Sequence, residues 1–423
     1  MRILNLAISL TILTGCQSQM SVITPLAPEP RSNPGVGAQH FVNGKWLLPN
    51  TPGIKFEAGT RYAVNGVFVA EPPPNAEIID LGGAWVVPPY GEAHNHSVDS
   101  KATQPAAQRY LDEGVYYFKN PNSIRSVTQP HRAHWQQPDT LDVSFSFGGL
   151  SKDEGHPEVL YRRLSGFGLY PSVAADELDG EAFYDVETLD KLNEKWPKIM
   201  ASQPDFLKLY LLEHDQPTSD GLPPDVFREV VKRAKAAGLP TTVHVETVAD
   251  LALAVEAGAT EAAHLPAYNL RYAKAPSLSQ IPDSLLQQMA QQQFVVVTTT
   301  HVSTSREYTA SQYNTVSQRQ ADNLRRMHAA GVPIAIGSDT FQQTAWNEVQ
   351  TLRSLGAFDD TTLLKLWMQT PVLSIFPTRA IGQLKAGYEA SFLVLDCNPA
   401  ETFACAQKIS AGFKQGLQLT GKP

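Results

Sequence analysis

The feature that most constrains the fold is an alternation of short apolar runs with amphipathic helical segments through the middle of the chain. Residues 226–237 have the apolar spacing of a helix, which Gly238 and Pro240 end, and residues 241–245 form an apolar run typical of a buried strand. The same unit recurs over residues 249–264. Because parallel neighbouring strands need crossover connections, usually helices, this alternation predicts an α/β fold with a parallel sheet.

About eight strands of this kind are predicted, a number that indicates a (β/α)8 TIM barrel over residues 87–377. Short strand-like runs also precede and follow this region, in residues 39–86 and 378–423. We expect these two ends of the chain to meet in one small β-sandwich beside the barrel. The predicted barrel strands begin near Trp85, Val115, Val143, Phe206, Thr241, Thr260, Phe294 and Ile334.

The first residues have the pattern of a targeting segment. Arg2 precedes an apolar stretch at residues 3–13 that is too short to span a bilayer. The sequence LTGC that follows, ending at Cys16, resembles the lipobox of bacterial lipoproteins. This resemblance implies that residues 1–16 hold a lipoprotein signal peptide and that Cys16 becomes the lipidated N-terminus. Residues 17–38, which are rich in Pro, Ser and Gly, are then expected to form a tether.

Lipidation at Cys16 would anchor the protein to a membrane of the bacterial cell envelope. In a Gram-negative host, Gln17 in place of Asp after the cysteine favours the periplasmic face of the outer membrane. In that oxidising compartment a disulfide between Cys397 and Cys405 is compatible with their spacing, and two reduced thiols are the alternative. The net charge of -8 argues against a nucleic-acid partner, which would need a basic face, so we expect a small-molecule substrate.

Six side chains of the types that bind metals fall at or near the carboxyl ends of the predicted strands, where barrels place their active sites. His94 and His96 are two residues apart, so both point to the same side of an extended chain. Each of the six alone has an ordinary alternative, such as a core histidine, a surface lysine or an aspartate that caps a helix. The six are His94, His96, Lys208, His244, His264 and Asp339.

The segments around these residues resemble the amidohydrolase superfamily, in the subtype with a carboxylated lysine on its fourth strand and in its imidazolonepropionase-like or prolidase-like branch. The resemblance spans nearly all of the chain after the tether and keeps the order of the family. The matching segments are VVPPYGEAHNHS at residues 86–97, PDFLKLYL at 204–211, TVHVE at 242–246, EAAHLP at 261–266 and IAIGSDT at 334–340.

The resemblance implies a binuclear centre with two divalent metal ions, for which zinc is expected. His94 and His96 would bind the more buried ion together with Asp339. The histidines His244 and His264 would bind the second ion. Lys208, converted by carbon dioxide to a carbamate, would bridge the two ions, because an ammonium group has no lone pair and repels cations.

The resemblance also implies the reaction, a hydrolysis of an amide-like C–N bond by a hydroxide that bridges the metals. Asp339 would be the catalytic residue that takes the proton of the attacking water and passes it to the leaving amine. Small peptides, N-acyl amino acids and cyclic amides are the expected substrates. One departure is Glu92, which stands where the family usually has an aspartate two residues before the first histidine.

Three further side chains near strand ends, Tyr210, Tyr268 and Arg271, are candidates for substrate binding. Arg271 is the best of them for a substrate carboxylate, since a guanidinium can donate two parallel hydrogen bonds. Five more histidines also follow predicted strands, but histidines in loops are more often solvated: His131, His134, His156, His214 and His301.

Two other functions stay open from the sequence. A mononuclear deaminase or lactonase could use the same barrel, although deaminases of the superfamily typically have a Glu where this chain has Thr247, and they lack the lysine of strand four. A lipoprotein that binds a metal or a ligand without catalysis is the third reading. Neither the substrate nor the oligomeric state follows from the residues.

Overall fold

The computed structural model describes residues 28–49, 51–170 and 172–421. The predicted signal peptide, Cys16 and the first part of the predicted tether lie outside these residues. The strands are β1 (Ala38–Leu47), β2 (Phe56–Val64), β3 (Val67–Val69), β4 (Glu77–Asp80), β5 (Trp85–Val87), β6 (Tyr90–Glu92), β7 (Val115–Asn120), β8 (Asp142–Phe145), β9 (Gly149–Ser151), β10 (Phe183–Asp185), β11 (Leu207–Tyr210), β12 (Thr241–His244), β13 (Glu261–Ala263), β14 (Val295–Val297), β15 (Ile334–Ala335), β16 (Phe392–Leu395), β17 (Ile409–Lys414) and β18 (Leu417–Gly421).

Helices connect most of the strands. The α-helices are α1 (Gln104–Asp112), α2 (Arg125–Thr128), α3 (Glu158–Gly166), α4 (Leu189–Ala201), α5 (Pro224–Ala236), α6 (Val248–Glu256), α7 (Leu270–Ala273), α8 (Pro276–Ser279), α9 (Asp283–Gln292), α10 (Ala310–Ala330), α11 (Ala345–Leu355) and α12 (Asp360–Thr370). A π-helical turn covers Pro371–Ile375, and short 3-10 helices cover Pro34–Val36, Lys101–Thr103, Gln129–His131, His134–Gln136, Thr300–Ser305 and Phe403–Gln407.

Local sequence explains where the predicted helices begin and end. The hydroxyl of Thr247 accepts a hydrogen bond from Asp250 N, and the Asp250 carboxylate accepts one from Thr247 N, so a capping box starts α6. Helices α5 and α6 end just before Gly238 and Gly258, whose φ angles of 70° and 78° lie in the left-handed region that glycine tolerates. The helix boundaries therefore agree with the sequence prediction to within two residues.

The strands between α-helices are parallel, as the sequence predicts, and form two sheets of a mixed α/β fold. One has the order β6-β7-β8 and the other the order β10-β9-β11-β12-β13-β14-β15. The prediction that a strand of these parallel sheets begins at Trp85 is wrong. The strand that begins there, β5, pairs with β1 and β16 in another sheet, and the first strand of the two parallel sheets is β6. Pro88 and Pro89 separate the two, since proline has no N–H to donate to a ladder.

Hydrogen bonds connect the two parallel sheets on two sides. The chain bends between β8 and β9 at Phe147, whose φ is 58°, so that β8 pairs in one sheet and β9 in the other, and Asp205 N, just before β11, donates to Phe145 O of β8 over 2.8 Å. At the opposite edge, Ala93 N after β6 donates to Ile336 O after β15 over 2.8 Å. The carboxyl ends of the parallel strands consequently face one common region, and the residues that follow them meet there.

The two ends of the chain meet, as the sequence predicts, in a third sheet. Its strand order is β18-β17-β16-β5-β1-β2-β3, with β4 paired to β1, so the described strands form one continuous mixed sheet instead of two facing ones. Aromatic residues fill its apolar cluster, and the rings of Phe392 and Phe413 stack with centroids 4.7 Å apart beside Phe41. Cys397 and Cys405 are joined in a disulfide with their Cα atoms 5.4 Å apart.

A buried charge cluster connects this terminal sheet to the parallel layer. Asp142 at the start of β8 accepts hydrogen bonds from Arg379 Nη1 over 2.6 Å and from Lys414 Nζ over 2.8 Å. Arg379 also pairs with Glu389. Burial by itself raises the pKa of Asp142, but the charges of Arg379 and Lys414 outweigh it and hold the pKa below its ordinary value. The carboxylate is therefore ionised at neutral pH and ties the two layers together.

Removing one member of this cluster should cost far more stability than removing a surface charge. We expect Lys414→Met to lower the free energy of unfolding by about 3–5 kcal/mol, because it leaves the buried charge of Asp142 partly uncompensated. The matched control is Lys232→Met, whose ammonium is exposed and pairs with Glu229, with an expected change of at most about 1 kcal/mol. Urea denaturation measures both, and equal losses in the two variants would contradict the role of the cluster.

No helix in the described residues is long and apolar enough to cross a bilayer.

Candidate metal centre

The six predicted ligands meet in space. They line one cavity of about 240 Å³ at the carboxyl ends of the parallel strands. Lys208 lies on β11, and His244 is the last residue of β12. His264 directly follows β13, and Asp339 lies a few residues after β15. His94 and His96 follow β6. Six residues spread over the chain from 94 to 339 are thus brought together because the ends of parallel strands share one side of the fold.

One half of the centre is built around the carboxylate of Asp339. Its Oδ1 lies 3.6 Å from His94 Nε2 and 3.4 Å from His96 Nε2. One nitrogen or oxygen from each of these three residues lies within 4.8 Å of the others, a spacing that fits a single cation between them. His96 Nδ1 donates to the carbonyl oxygen of Asn122 over 2.9 Å, so the lone pair of His96 is on Nε2, towards Asp339.

The other half is formed by His244 and His264, whose ring centroids are 4.5 Å apart. His244 Nε2 lies 3.2 Å from Glu246 Oε1. Because an ionised carboxylate can only accept a hydrogen bond, Nε2 is the donor and the lone pair of the imidazole is on Nδ1. His264 Nδ1 lies 2.7 Å from Thr299 Oγ1. A carboxylate or hydroxyl behind a metal-binding imidazole fixes its orientation.

Lys208 is a buried amine whose Nζ lies 5.2 Å from the ring centroid of Tyr210. Its Nζ makes no hydrogen bond within the described part of the chain, and its side chain is almost completely enclosed. Burial lowers the pKa of Lys208 to about 7, against the opposing charges of Asp339 and Glu261. Burial also lowers the pKa of His94, with the charge of Lys208 as a second cause. The cavity therefore favours neutral nitrogen bases, the forms that have a lone pair for a metal or for carbon dioxide.

Glu92, the departure from the family pattern, is a fully buried link between the first and last parallel strands. Its Oε1 accepts from Ser338 N over 2.8 Å and from His94 N over 3.2 Å, and its Oε2 accepts from Ser338 Oγ over 2.6 Å. Burial raises the pKa of Glu92 to about 8. Glu92 thus holds the backbone that carries His94 and Asp339 and lies outside the group of possible ligands around Asp339.

The backbone near the centre is tightly packed and locally strained. A Cβ on Gly337 would lie 2.7 Å from His94 N, so glycine is required where the last strand approaches the first. Asp339 and His264 have φ angles of 49° and 75°, a left-handed conformation that is uncommon for residues other than glycine. Such conformations concentrate at functional sites, where the surrounding structure holds them in place.

Two of the three predicted substrate residues line the cavity and one does not. Tyr210 lines it and donates from its hydroxyl to Asn122 Oδ1 over 2.8 Å. Tyr268 lines it as well, stacks on His264 with centroids 5.2 Å apart, and donates to Glu246. The guanidinium of Arg271 pairs with Glu213 Oε1 at 3.0 Å, outside the lining of the cavity. The structure thus provides no contact in support of Arg271.

His156 belongs to the site, although the sequence does not separate it from the other histidines in loops. Its ring lies in the cavity wall, 5.4 Å from the ring of His244 and 5.1 Å from that of Tyr210, centroid to centroid. Burial lowers the pKa of His156 to about 3, and the charge of His244 contributes to this. His156 is therefore a neutral imidazole at physiological pH. In the sequence, the one indication that His156 belongs to the site is its position after a predicted strand. Four other histidines, which are solvated or structural, share that position.

The contact between Glu246 and His244 allows a test of the half of the centre that His244 and His264 form. We expect Glu246→Gln to weaken zinc binding about 10- to 100-fold, because an amide fixes the imidazole less firmly and makes it less basic. Competition with a chromogenic chelator measures the affinity in the absence of any substrate. Glu213→Gln, a change of the same kind in the next loop, is the control and should leave zinc affinity within a factor of about two. Unchanged affinity in Glu246→Gln would contradict this role.

Comparison with known proteins identifies a family match and similar folds. Residues 205–411 match the model of the amidohydrolase family, and this stretch holds Lys208, His244, His264 and Asp339. A search of curated proteins finds no match. Among solved structures the chain is similar to an amidohydrolase, with 17% identity over 91% of this chain and 99% of the other and a TM-score of 0.70.

Two further solved structures have the same fold. One is a prolidase complexed with N-methylphosphonate-L-proline, with 17% identity, 91% and 100% of the two chains covered and a TM-score of 0.68. The other is the ochratoxinase of A. niger, with 16% identity, 91% and 96% covered and a TM-score of 0.68. Residues 205–411 thus match the amidohydrolase family, and the described fold is similar to that of these solved structures.

Proposed function

We propose that this protein is a metal-dependent hydrolase that cleaves an amide-like C–N bond. The observation that carries the proposal is the convergence of six ligand-type side chains, from the ends of five strands, on one cavity. The family match and the likeness to a prolidase and an ochratoxinase support the reaction class. We further propose that the two parallel sheets, hydrogen-bonded on two sides, make up a (β/α)8 barrel and that the terminal sheet curls into the small sandwich beside it.

The residues fit two divalent cations, which we expect to be zinc. His94, His96 and Asp339 would bind one ion, and His244 and His264 would bind the other. Lys208 Nζ is enclosed and makes no hydrogen bond in the described chain, and its neutral amine could add carbon dioxide to give a carbamate that bridges both ions. Its ammonium form would instead place a cation against cations, so the two-metal proposal depends on this conversion.

When bound, the ions would polarise the scissile carbonyl and lower the pKa of a water molecule. Asp339 lies in the middle of the ligand set, where its carboxylate can take a proton from the attacking water and return it to the leaving nitrogen. The neutral His156 beside His244 can hold the substrate by a hydrogen bond. Four of the six proposed ligands, His94, Lys208, His244 and His264, are buried, and low exposure to water strengthens these electrostatic interactions.

The role of Asp339 predicts a variant that folds but does not turn over. We expect Asp339→Asn to lower kcat on any substrate of the enzyme about 10²- to 10⁴-fold, since an amide cannot carry the proton. Circular dichroism should show an unchanged fold, because the backbone N–H of Asp339, which donates to His94 O over 2.7 Å, is retained. Robust turnover by the folded variant would refute the assignment.

Metal content separates this proposal from its mononuclear alternative. We expect about two zinc ions per chain in protein loaded with zinc and bicarbonate, and about one in Lys208→Met, which cannot form the bridging carbamate. Mass spectrometry of the metal measures both, and carbon-13 NMR of protein loaded with labelled bicarbonate should show a carbamate signal that Lys208→Met lacks. A firm value of one ion in the wild-type protein favours the mononuclear deaminase or lactonase.

We also propose that the protein is anchored to the outer membrane through a lipid on Cys16. The sequence pattern before Cys16 supports this. Expressed with its own signal sequence in a Gram-negative host, the protein should sediment with membranes, and Cys16→Ser should abolish lipid labelling and recovery with the outer membrane. Equal labelling of Cys16→Ser would contradict the anchor.

A further inference from the structure

The wall of the cavity differs in character from its floor. The floor consists of the six proposed ligands, whereas the wall is contributed by the loops after the strands and is largely apolar. Leu160 and Phe341 are large apolar side chains left 41% and 67% exposed at this wall. The apolar wall residues are Ile124, Leu160, Leu164, Tyr170, Val302 and Phe341. An apolar wall of this kind stabilises an apolar group of a ligand and does nothing for a small, fully polar one.

Arg306 is the one guanidinium in the lining of the cavity within the described chain. It follows the 3-10 helix Thr300–Ser305, in the loop after β14. Its Cζ lies 5.5 Å from the ring centroid of Tyr268, which in turn stacks on His264. The charge of Arg306 is thus separated from a proposed metal ligand by a single aromatic ring.

The guanidinium of Arg306 has no hydrogen bond or ion pair with any residue in the described ranges. It makes one cation–π contact, with the face of the Tyr268 ring. Arg271 in the preceding loop is different, since Glu213 already neutralises it at 3.0 Å. An arginine that lines a cavity and keeps its donors free is suited to bind a carboxylate through two parallel hydrogen bonds.

A second charge determines where an anionic group can lie. Among the described residues Asp99 is the one carboxylate besides Asp339 in the lining of the cavity, and its charge acts on Tyr161 and Tyr170. A substrate carboxylate placed against that part of the wall would be repelled. The same carboxylate placed beside Arg306 would be attracted, so the wall orients an anionic substrate.

From these observations we propose that the substrates are N-acyl amino acids with an apolar acyl group, and that Arg306 selects them by binding their free α-carboxylate. The inference rests on the proposed hydrolysis of amides and adds to it the charge and polarity of the substrate. In this orientation the acyl group lies against the apolar wall, the amide lies over the ligand set, and the carboxylate of the leaving amino acid faces Arg306. The α-carboxylate is two bonds from the amide nitrogen, and Tyr268 lies between Arg306 and His264, so the carboxylate lies on the Tyr268 side of the amide.

A pair of substrates that differ only in this charge tests the inference. N-hexanoyl-L-phenylalanine has the carboxylate, and N-hexanoyl-L-phenylalaninamide replaces it with a neutral carboxamide. We expect zinc-loaded wild-type protein to prefer the acid by at least about tenfold in kcat/KM, because hydrogen bonds to a charged group are the stronger ones. Arg306→Gln should lose about 10- to 100-fold on the acid and less than about twofold on the carboxamide.

The control is Arg271→Gln, which removes a guanidinium from the neighbouring loop and outside the cavity. It should change kcat/KM by less than about twofold on either substrate. Arg306→Lys keeps the charge without the planar fork and should recover part of the preference for the acid. An equal loss on both substrates in Arg306→Gln, or a larger loss in Arg271→Gln, would overturn the inference.

A binding measurement separates failure of this inference from failure of the proposed hydrolysis. If wild-type protein hydrolyses neither compound, calorimetry still reports whether it binds N-hexanoyl-L-phenylalanine. Binding of the acid that is weakened in Arg306→Gln but not in Arg271→Gln would uphold the carboxylate site while refuting hydrolysis of this class. Absence of binding, or equal affinity in wild type and Arg306→Gln, would refute the carboxylate site itself.

Discussion

The hydrogen bonds of one buried carboxylate, that of Glu92, are the constraint on which the centre depends. They connect the backbone of His94 to the backbone and hydroxyl of Ser338, and so bring the first and last parallel strands into one place. Asp339 N then donates to His94 O over 2.7 Å. Each of these donors lies in the protein interior, where an unpaired polar group costs about 1–3 kcal/mol. The ligands from both ends of the parallel layer are thereby held in register before any ion binds.

Burial gives the centre its chemical character. The pKa of Lys208 falls to about 7 and that of His94 falls as well, mainly because water is excluded from their surroundings. The lowered pKa values of Lys208 and His94 favour the neutral forms, whose lone pairs lie beside the carboxylate of Asp339. That combination is complementary to divalent cations.

The floor and the wall of the cavity serve different purposes. The floor is carried on strands and the residues directly after them, which packing holds in place, and its chemistry suits hydrolysis of many acyl compounds. The wall is carried on segments such as the loop that holds Arg306, and we propose that it selects among those compounds by charge and polarity. This division is general for barrels, in which chemistry resides at strand ends and loops vary. For the same reason, the similarity of this fold to solved structures does not identify the substrate of this protein.

The sequence by itself determined the parallel α/β layer, the meeting of the chain ends in one sheet and the six residues that meet in the cavity, because strand and helix periodicity and residue type are local properties. Seven of the predicted strand starts agree with the structure. The predicted start of the first parallel strand at Trp85 is wrong, because two prolines divide one apolar run into two strands that belong to different sheets. The direction of a loop side chain is decided by distant packing. Only the tertiary structure therefore placed His156 and Arg306 in the cavity, paired Arg271 with Glu213, and turned Glu92 from an unexplained substitution into the link between the first and last strands.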